Sequence, residues 1–268
     1  MLAAVLLAGC TEESVLSPDS TLVVVRGYLY ADEPVSQIQL TQTLSLGSSD
    51  STAPPVNDAE VALFKGNARY DLVPSPGDSG YYYYPGDGLT VRAGDEFSIE
   101  VVYGDQVITA ETVVPPPPGN VTLSKERLSF PDFDTLWELR QQGVGMDSIR
   151  AMMTLTVSWE GEQDALYYVV VENLEDDPKA VESQFMRGSM RFISRPFSGD
   201  QYAINANMMS HFGRHEAVVY RVNQEYADLY QSRNQDSRDL NEPLTNIENG
   251  LGVFSAFNSG RAEFYFSE

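Results

Sequence analysis

His211 and His215 stand four residues apart across Phe212-Gly213-Arg214, a spacing that on a helix turns two imidazoles toward one metal ion. Gly213 and the strand-like patterns flanking it predict a turn instead, and no third ligand or His-Glu-x-x-His motif stands nearby. Both histidines are therefore expected at a surface turn. Asp132-Phe133-Asp134 and Glu175-Asp176-Asp177 carry the hard oxygens that calcium prefers, yet neither has the calcium-loop spacing with its closing glutamate. They offer at most a structural Ca2+ site; no metal centre and no other cofactor is expected. No Ser/His/Asp or Cys/His set can be assembled from these residues, and the chain is expected not to be an enzyme.

Cys10 carries the strongest chemical signal. It is the single cysteine, and it ends the apolar run Leu6-Leu7-Ala8-Gly9-Cys10 after small residues of the kind a lipoprotein signal peptidase accepts before its cut. Cleavage there leaves Cys10 as the mature N-terminus, thioether-linked to diacylglycerol and usually N-acylated. At about 0.8 kcal/mol per buried CH2, two or three acyl chains hold a protein firmly to a bilayer. The run is short and no Lys or Arg precedes it, so the natural start is expected upstream of Met1. Glu12 and Glu13, just after the cysteine, resemble the export signal that carries lipoproteins to the cell surface in Bacteroidota. The expected address is the outer membrane, lipid-anchored and facing the cell exterior.

The rest of the 268 residues suits a folded body long enough for two cores. No later stretch approaches the ~18 consecutive apolar residues of a spanning helix. With 39 acidic against 17 basic residues the formal net charge is −22, which repels nucleic acid rather than recruiting it. The acidic residues are scattered rather than blocked, as expected of a solvation device on a salt-adapted surface more than of a cation-gathering site.

The elements that must position any site read mainly as strands. After a lipoprotein signal end and acidic tether (residues 1–20), residues 22–29 form a β-branched and aromatic run, and residues 37–44 alternate with period two. Further strands are expected at 59–64, 81–84, 89–92, 97–103 and 106–114, separated by Pro/Gly/Asp turns. Seven or so short strands at this spacing predict an immunoglobulin-like or prealbumin-like β-sandwich over residues 21–114. Pro115 to Pro118 predicts a stiff linker at 115–120 that spaces two domains, each with its own core.

A second β-rich, sandwich-like domain with one or two helices is expected over 121–268. It opens with a strand at 121–123, and a helix at 133–141 lies on an insertion of residues 132–146. Strands follow at 153–159, 166–171, 184–193, 201–208 and 216–222. Residues 223–232 switch to helical spacing, with Tyr226, Leu229 and Tyr230 on one stripe.

The C-terminal section carries a family resemblance. Glu225-Tyr226-Ala227-Asp228-Leu229-Tyr230, followed by Glu242-Pro243-Leu244-Thr245-Asn246-Ile247-Glu248-Asn249-Gly250-Leu251-Gly252-Val253-Phe254-Ser255-Ala256-Phe257, resembles the C-terminal signature of domain of unknown function family 4249. The run at 22–29, Pro55 to Val61, Gly94-Asp95-Glu96-Phe97 and the Pro115 boundary are similar to that family's first domain. The insertion at 132–146 departs from its pattern. The resemblance implies an outer-membrane lipoprotein of Bacteroidota, of a kind typically encoded beside TonB-dependent receptors. By its residues alone the signature reads as a structural lock: Asn246 and Asn249 suit turns, Gly250 and Gly252 suit positive φ or close approach, and Leu251, Val253 and Phe254 enter a core. Gly250-Leu251-Gly252 lacks the third glycine and the βαβ setting of a phosphate loop.

What remains is a binding surface. The resemblance implies a non-catalytic accessory or binding component of a TonB-dependent nutrient uptake system, with the receptor as partner; the alternative is a structural or adhesive cell-surface protein. Exposed aromatics supply most affinity at such surfaces, and the candidates are Tyr81, Tyr82, Tyr83 and Tyr84, and Phe133 and Trp137 on the insertion. Strand alternation sends two of the four tyrosines inward and two to the rim.

Overall fold

The computed structural model describes residues 22–44, 51–131, 133–181, 190–232 and 245–267. Cys10, Glu12, Glu13 and Asp132 lie outside the described residues. The first half contributes β1 (Val23–Tyr30), β2 (Gln37–Gln42), β3 (Glu60–Lys65), β4 (Ala68–Pro74), β5 (Tyr81–Tyr83), β6 (Glu96–Tyr103) and β7 (Gln106–Val113). The second contributes β8 (Gly119–Leu123), β9 (Arg127–Ser129), α1 (Phe133–Gln141), α2 (Met146–Met152), β10 (Thr154–Glu160) and β11 (Leu166–Asn173). It continues with β12 (Arg191–Ile193), β13 (Phe197–Ser198), β14 (Gln201–Asn205), β15 (Gly213–Val222), α3 (Gln224–Ser232) and β16 (Leu251–Ser267). The fold is mainly β and sandwich-like.

In the first half the strands follow the order β16-β1-β2-β5-β4-β3-β6-β7. Val25, Ile38, Leu63, Tyr82, Ile99, Ile108 and Phe254, drawn from seven of these strands, meet in one core. The sheet must therefore curl until its two ends approach. In the second half β12-β11-β15-β16 faces a three-stranded sheet, β14-β10-β8. Leu155, Val157 and Trp159 of β10 interleave there with Tyr167, Val169 and Val171 of β11. β10 shows the period-two burial that its sequence predicts, whereas β11 is buried on both faces from Tyr167 to Val171.

β16 joins the halves. Its first seven residues pair in parallel with β1, Val24 opposite Leu251 through Tyr30 opposite Phe257, and from Phe257 onward it pairs antiparallel with β15. Side chains alternate along it, so Phe254 and Ala256 enter the first core while Phe264 and Phe266, on the same face, enter the second. The other face carries Phe257, covered by α3 and a ring of tyrosines.

Several expectations change. The halves do not keep to residues 21–114 and 121–268, because Ile247, Phe254 and Ala256 belong to the first core. The proline segment is not a free spacer: Pro115 and Pro118 are buried, and the Pro115 carbonyl accepts from Asn258 Nδ2 at 2.9 Å. Residues 89–92 form no strand. Val91 plugs the core and the Arg92 amide donates to Asp95 Oδ2 at 2.8 Å, a side-chain-locked turn that ends the alternation. β4 and α2 were not anticipated, and three α-helices rather than one or two occur among the described residues of the second half. Of the strand expected at 184–193, residues 184–189 lie outside the described residues and only Arg191–Ile193 is strand.

Candidate binding surface

The signature segment closes the first core. Glu248 and Thr109 exchange backbone hydrogen bonds of 2.8 and 3.3 Å, which cover the outer edge of β7. Asn246 does more, because its amide copies a strand residue: Nδ2 donates to the Phe254 carbonyl at 2.7 Å, and Oδ1 accepts from the Phe254 amide at 3.0 Å. Nδ2 also reaches the Glu111 carbonyl on β7 at 3.2 Å. Thr112 Oγ1 takes the Ala256 amide at 3.2 Å, so side chains finish the edge of β16 until β15 takes it over. Gly252 holds φ near +111°, and a Cβ there would overlap the Val25 carbonyl. Gly27 leaves room for the Phe254 ring in the same way.

α3 is tied to this junction by Glu225, whose Oε1 accepts from Thr112 Oγ1 at 2.9 Å and Ser255 Oγ at 3.1 Å. Asn223 Nδ2 donates to the Val113 carbonyl at 2.8 Å. Beside them Tyr28, Tyr30, Tyr168, Tyr220, Tyr226 and Tyr230 surround Phe257. Tyr30 stacks on Phe257 at 4.9 Å and Tyr168 on Tyr220 at 4.8 Å. Burial raises the phenol pKa of Tyr30, Tyr168 and Tyr226 far above the ordinary tyrosine range, so all three stay protonated. Sequence periodicity identified the α3 stripe but not the strand residues that would meet it.

The four consecutive tyrosines divide as alternation requires. Tyr82 is fully buried; its hydroxyl donates to the Val56 carbonyl and accepts from the Ala59 amide, each at 3.1 Å. Tyr84 packs on the same core, edge-on to Tyr70 at 5.5 Å. Tyr81 and Tyr83 are half-buried on the opposite face.

The histidines require a correction. His215 lies within β15 rather than on a surface turn and is only 3% exposed, stacked on Phe264 at 5.4 Å. Its Nδ1 is 3.1 Å from the Gly213 carbonyl and its Nε2 is 3.2 Å from Asn173 Nδ2, which fixes a tautomer with the proton on Nδ1. Burial lowers its pKa; the Gly213 carbonyl and Glu175 oppose that weakly. His211 is half-buried in a bridge to Ala180 and hydrogen-bonds Ser210 Oγ at 2.8 Å. Glu175 is committed to Arg214, accepting its backbone amide at 2.8 Å. Among the described residues no three His, Cys, Asp or Glu side chains converge as metal ligands.

Two surface features stand out. An open groove of about 780 Å³ runs between the outer face of β6–β7 and the start of α3, lined by Phe64, Glu96, Ser98, Glu111, Asn223 and Glu225 among others, with no Lys or Arg among the described lining residues. Its field favours cations over anions. The other feature is the α1–α2 excursion. Ile149 is the anchor of α2 in the body, and Lys125 Nζ caps its end by donating to the Ala151 and Met152 carbonyls at 3.0 and 2.7 Å. Trp137 on α1 is 59% exposed, and Met146 and Met152 of α2 are exposed too. The Phe133 side chain lies outside what the structure describes. None of the described helices is long and apolar enough to cross a membrane.

A family model, domain of unknown function DUF4249, matches residues 11–263. No curated protein matches the chain. Among solved structures, one titled as a cytokine receptor complex aligns over 90% of this chain and 94% of its own at 11% identity, with a TM-score of 0.25.

Proposed function

From the premise that the chain belongs to the DUF4249 family, we propose that it is a surface-exposed outer-membrane lipoprotein, a non-catalytic binding component of a TonB-dependent nutrient uptake system. The observation that carries this reading is the α1–α2 excursion, which presents Trp137, Met146 and Met152 outside both cores. Aromatic and thioether side chains are the groups that anchor protein interfaces, and a well-packed β body gains nothing in its own stability from exposing them. The acidic surface and the lipid anchor at Cys10 suit a protein held outside the cell beside an integral receptor.

Fractionation tests the anchor: Cys10→Ala should move the full-length protein from the outer membrane to soluble fractions, and wild-type mass spectrometry should show the acyl adduct. Replacing Glu12 and Glu13 should keep attachment but protect the protein from protease added to intact cells. Co-purification with the receptor encoded nearest to it tests the partner. An acylated, exposed protein that never co-purifies with a receptor would favour the structural or adhesive alternative.

A further inference from the structure

We infer that the molecule stands on the outer leaflet of the membrane on the end where β1 begins, with Leu44 and Val107 toward the lipid, and holds the α1–α2 excursion at the opposite end. The inference rests on the lipid anchor proposed at Cys10.

The tether limits which end can approach the bilayer. Twelve peptide steps separate Cys10 from Leu22, a reach of at most about 40 Å. The residues gathered where β1 starts are fixed by hydrogen bonds. The Thr43 amide donates to the Leu22 carbonyl at 2.9 Å, and Gln42 Nε2 donates to Tyr103 Oη at 2.9 Å. Asn249 Nδ2 donates to the Val107 carbonyl at 3.0 Å. At this end Leu44 is 42% and Val107 47% exposed, two of the large apolar side chains left uncovered in a chain of formal net charge −22. Lipid is the partner that needs no charge complementarity from them, and the anchor holds it within reach.

β16 measures the distance to the other end. It starts at Leu251 beside Val24, runs parallel to β1 over seven residues and continues to Ser267, 17 residues in all. Sixteen steps at about 3.3 Å give up to about 50 Å along the strand. At its far end Tyr265 to Ser267 pair with Arg127 to Ser129, and the Phe130 amide donates to the Ser267 carbonyl at 2.9 Å. α1 begins three residues later, so Trp137 belongs to the end away from the lipid.

Energy transfer on the acylated full-length protein in phosphatidylethanolamine–phosphatidylglycerol vesicles tests this. Cys10 is acylated, so a single new cysteine takes the donor dye, with an acceptor on the lipid headgroups. Val107→Cys and Leu44→Cys should transfer strongly, whereas Trp137→Cys and Met146→Cys should stay near background; all four positions are exposed, so each pair backs the other against misfolding. Equal transfer at both ends, or stronger transfer from the excursion, overturns the orientation while leaving the anchor intact. Absence of an acyl mass on Cys10 overturns the anchor, and the orientation with it.

Discussion

Asn246→Ala removes three hydrogen bonds and no core volume, which makes it a sharp test of how the two halves are coupled. The lost bonds are those of 2.7 and 3.0 Å to Phe254 and 3.2 Å to Glu111. Phe254 is fully buried, so its amide and carbonyl would lose their partners out of reach of water. At roughly 1 kcal/mol per bond, and more where a buried group is left unpaired, the loss should be about 3 kcal/mol, more than a hundredfold in the folding equilibrium. Urea unfolding followed by Trp159 fluorescence in a Trp137→Phe background reads it out. Trp159 sits in the second core, which Asn246 does not touch, yet its transition should move because β16 lines both cores. Asn246→Asp keeps an acceptor for the Phe254 amide and should fall between wild type and Ala. A loss below about 1 kcal/mol, or a tyrosine-detected transition that shifts while the Trp159 transition stays, would refute the coupling.

Gly252→Ala should destabilise by at least about 1–3 kcal/mol, the typical cost of such a backbone conformation, before the overlap with the Val25 carbonyl is counted. The urea midpoint measures it, and an unchanged midpoint would contradict the parallel β1–β16 pairing. His215 is held neutral with a lowered pKa, so the unfolded chain takes up its proton first as pH falls. Its contribution is present above the unfolded value of about 6.5 and is lost as pH falls through the folded value. The stability difference between wild type and His215→Gln should therefore shrink below pH ~6.5; a difference independent of pH would refute this. Trp137→Ala should leave stability within about 0.5 kcal/mol, as expected of an exposed side chain, while weakening receptor association; an equal loss of stability would place the ring in a core.

Strands with a clean two-residue alternation, such as β1, β6 and β10, were legible because their period is local. α1 begins and ends at the residues its sequence suggested, since an acidic first turn and a basic last turn mark it. What escaped depends on partners far along the chain. The parallel pairing of β1 with β16 joins residues more than two hundred positions apart, and neither segment records which neighbour it will meet. Leu89 and Val91 alternate like a strand but form no ladder among the described residues; the Val91 carbonyl takes one backbone bond, from the Asp32 amide at 2.9 Å, and Val91 is buried while Leu89 is half-buried. β15 begins three residues earlier than expected because Gly213, Arg214 and His215 read as polar turn chemistry. The Phe264 and Phe266 rings that bury His215 come from β16.

The signature illustrates why chemistry and architecture are hard to separate in sequence. Gly250-Leu251-Gly252 carries two of the glycines of a phosphate loop without the third, and a phosphate loop works by turning backbone N–H groups toward an anion in space that a side chain would otherwise fill. Here that space is taken by carbonyl oxygens. A Cβ on Gly250 would meet the Val23 carbonyl at 3.0 Å, and one on Gly252 would run into the Val25 carbonyl. Oxygen lone pairs repel an anion, so the close approach these glycines permit is spent on packing β16 against β1. A residue that serves this packing cannot also receive a ligand, and the same holds for Asn246, whose amide is saturated by Phe254 and Glu111. The most specific part of the sequence is thus committed to holding the body together. The recognition proposed above therefore falls to parts that the lock leaves free, and the α1–α2 excursion, inserted between β9 and β10, is one that exposes apolar side chains outside either core.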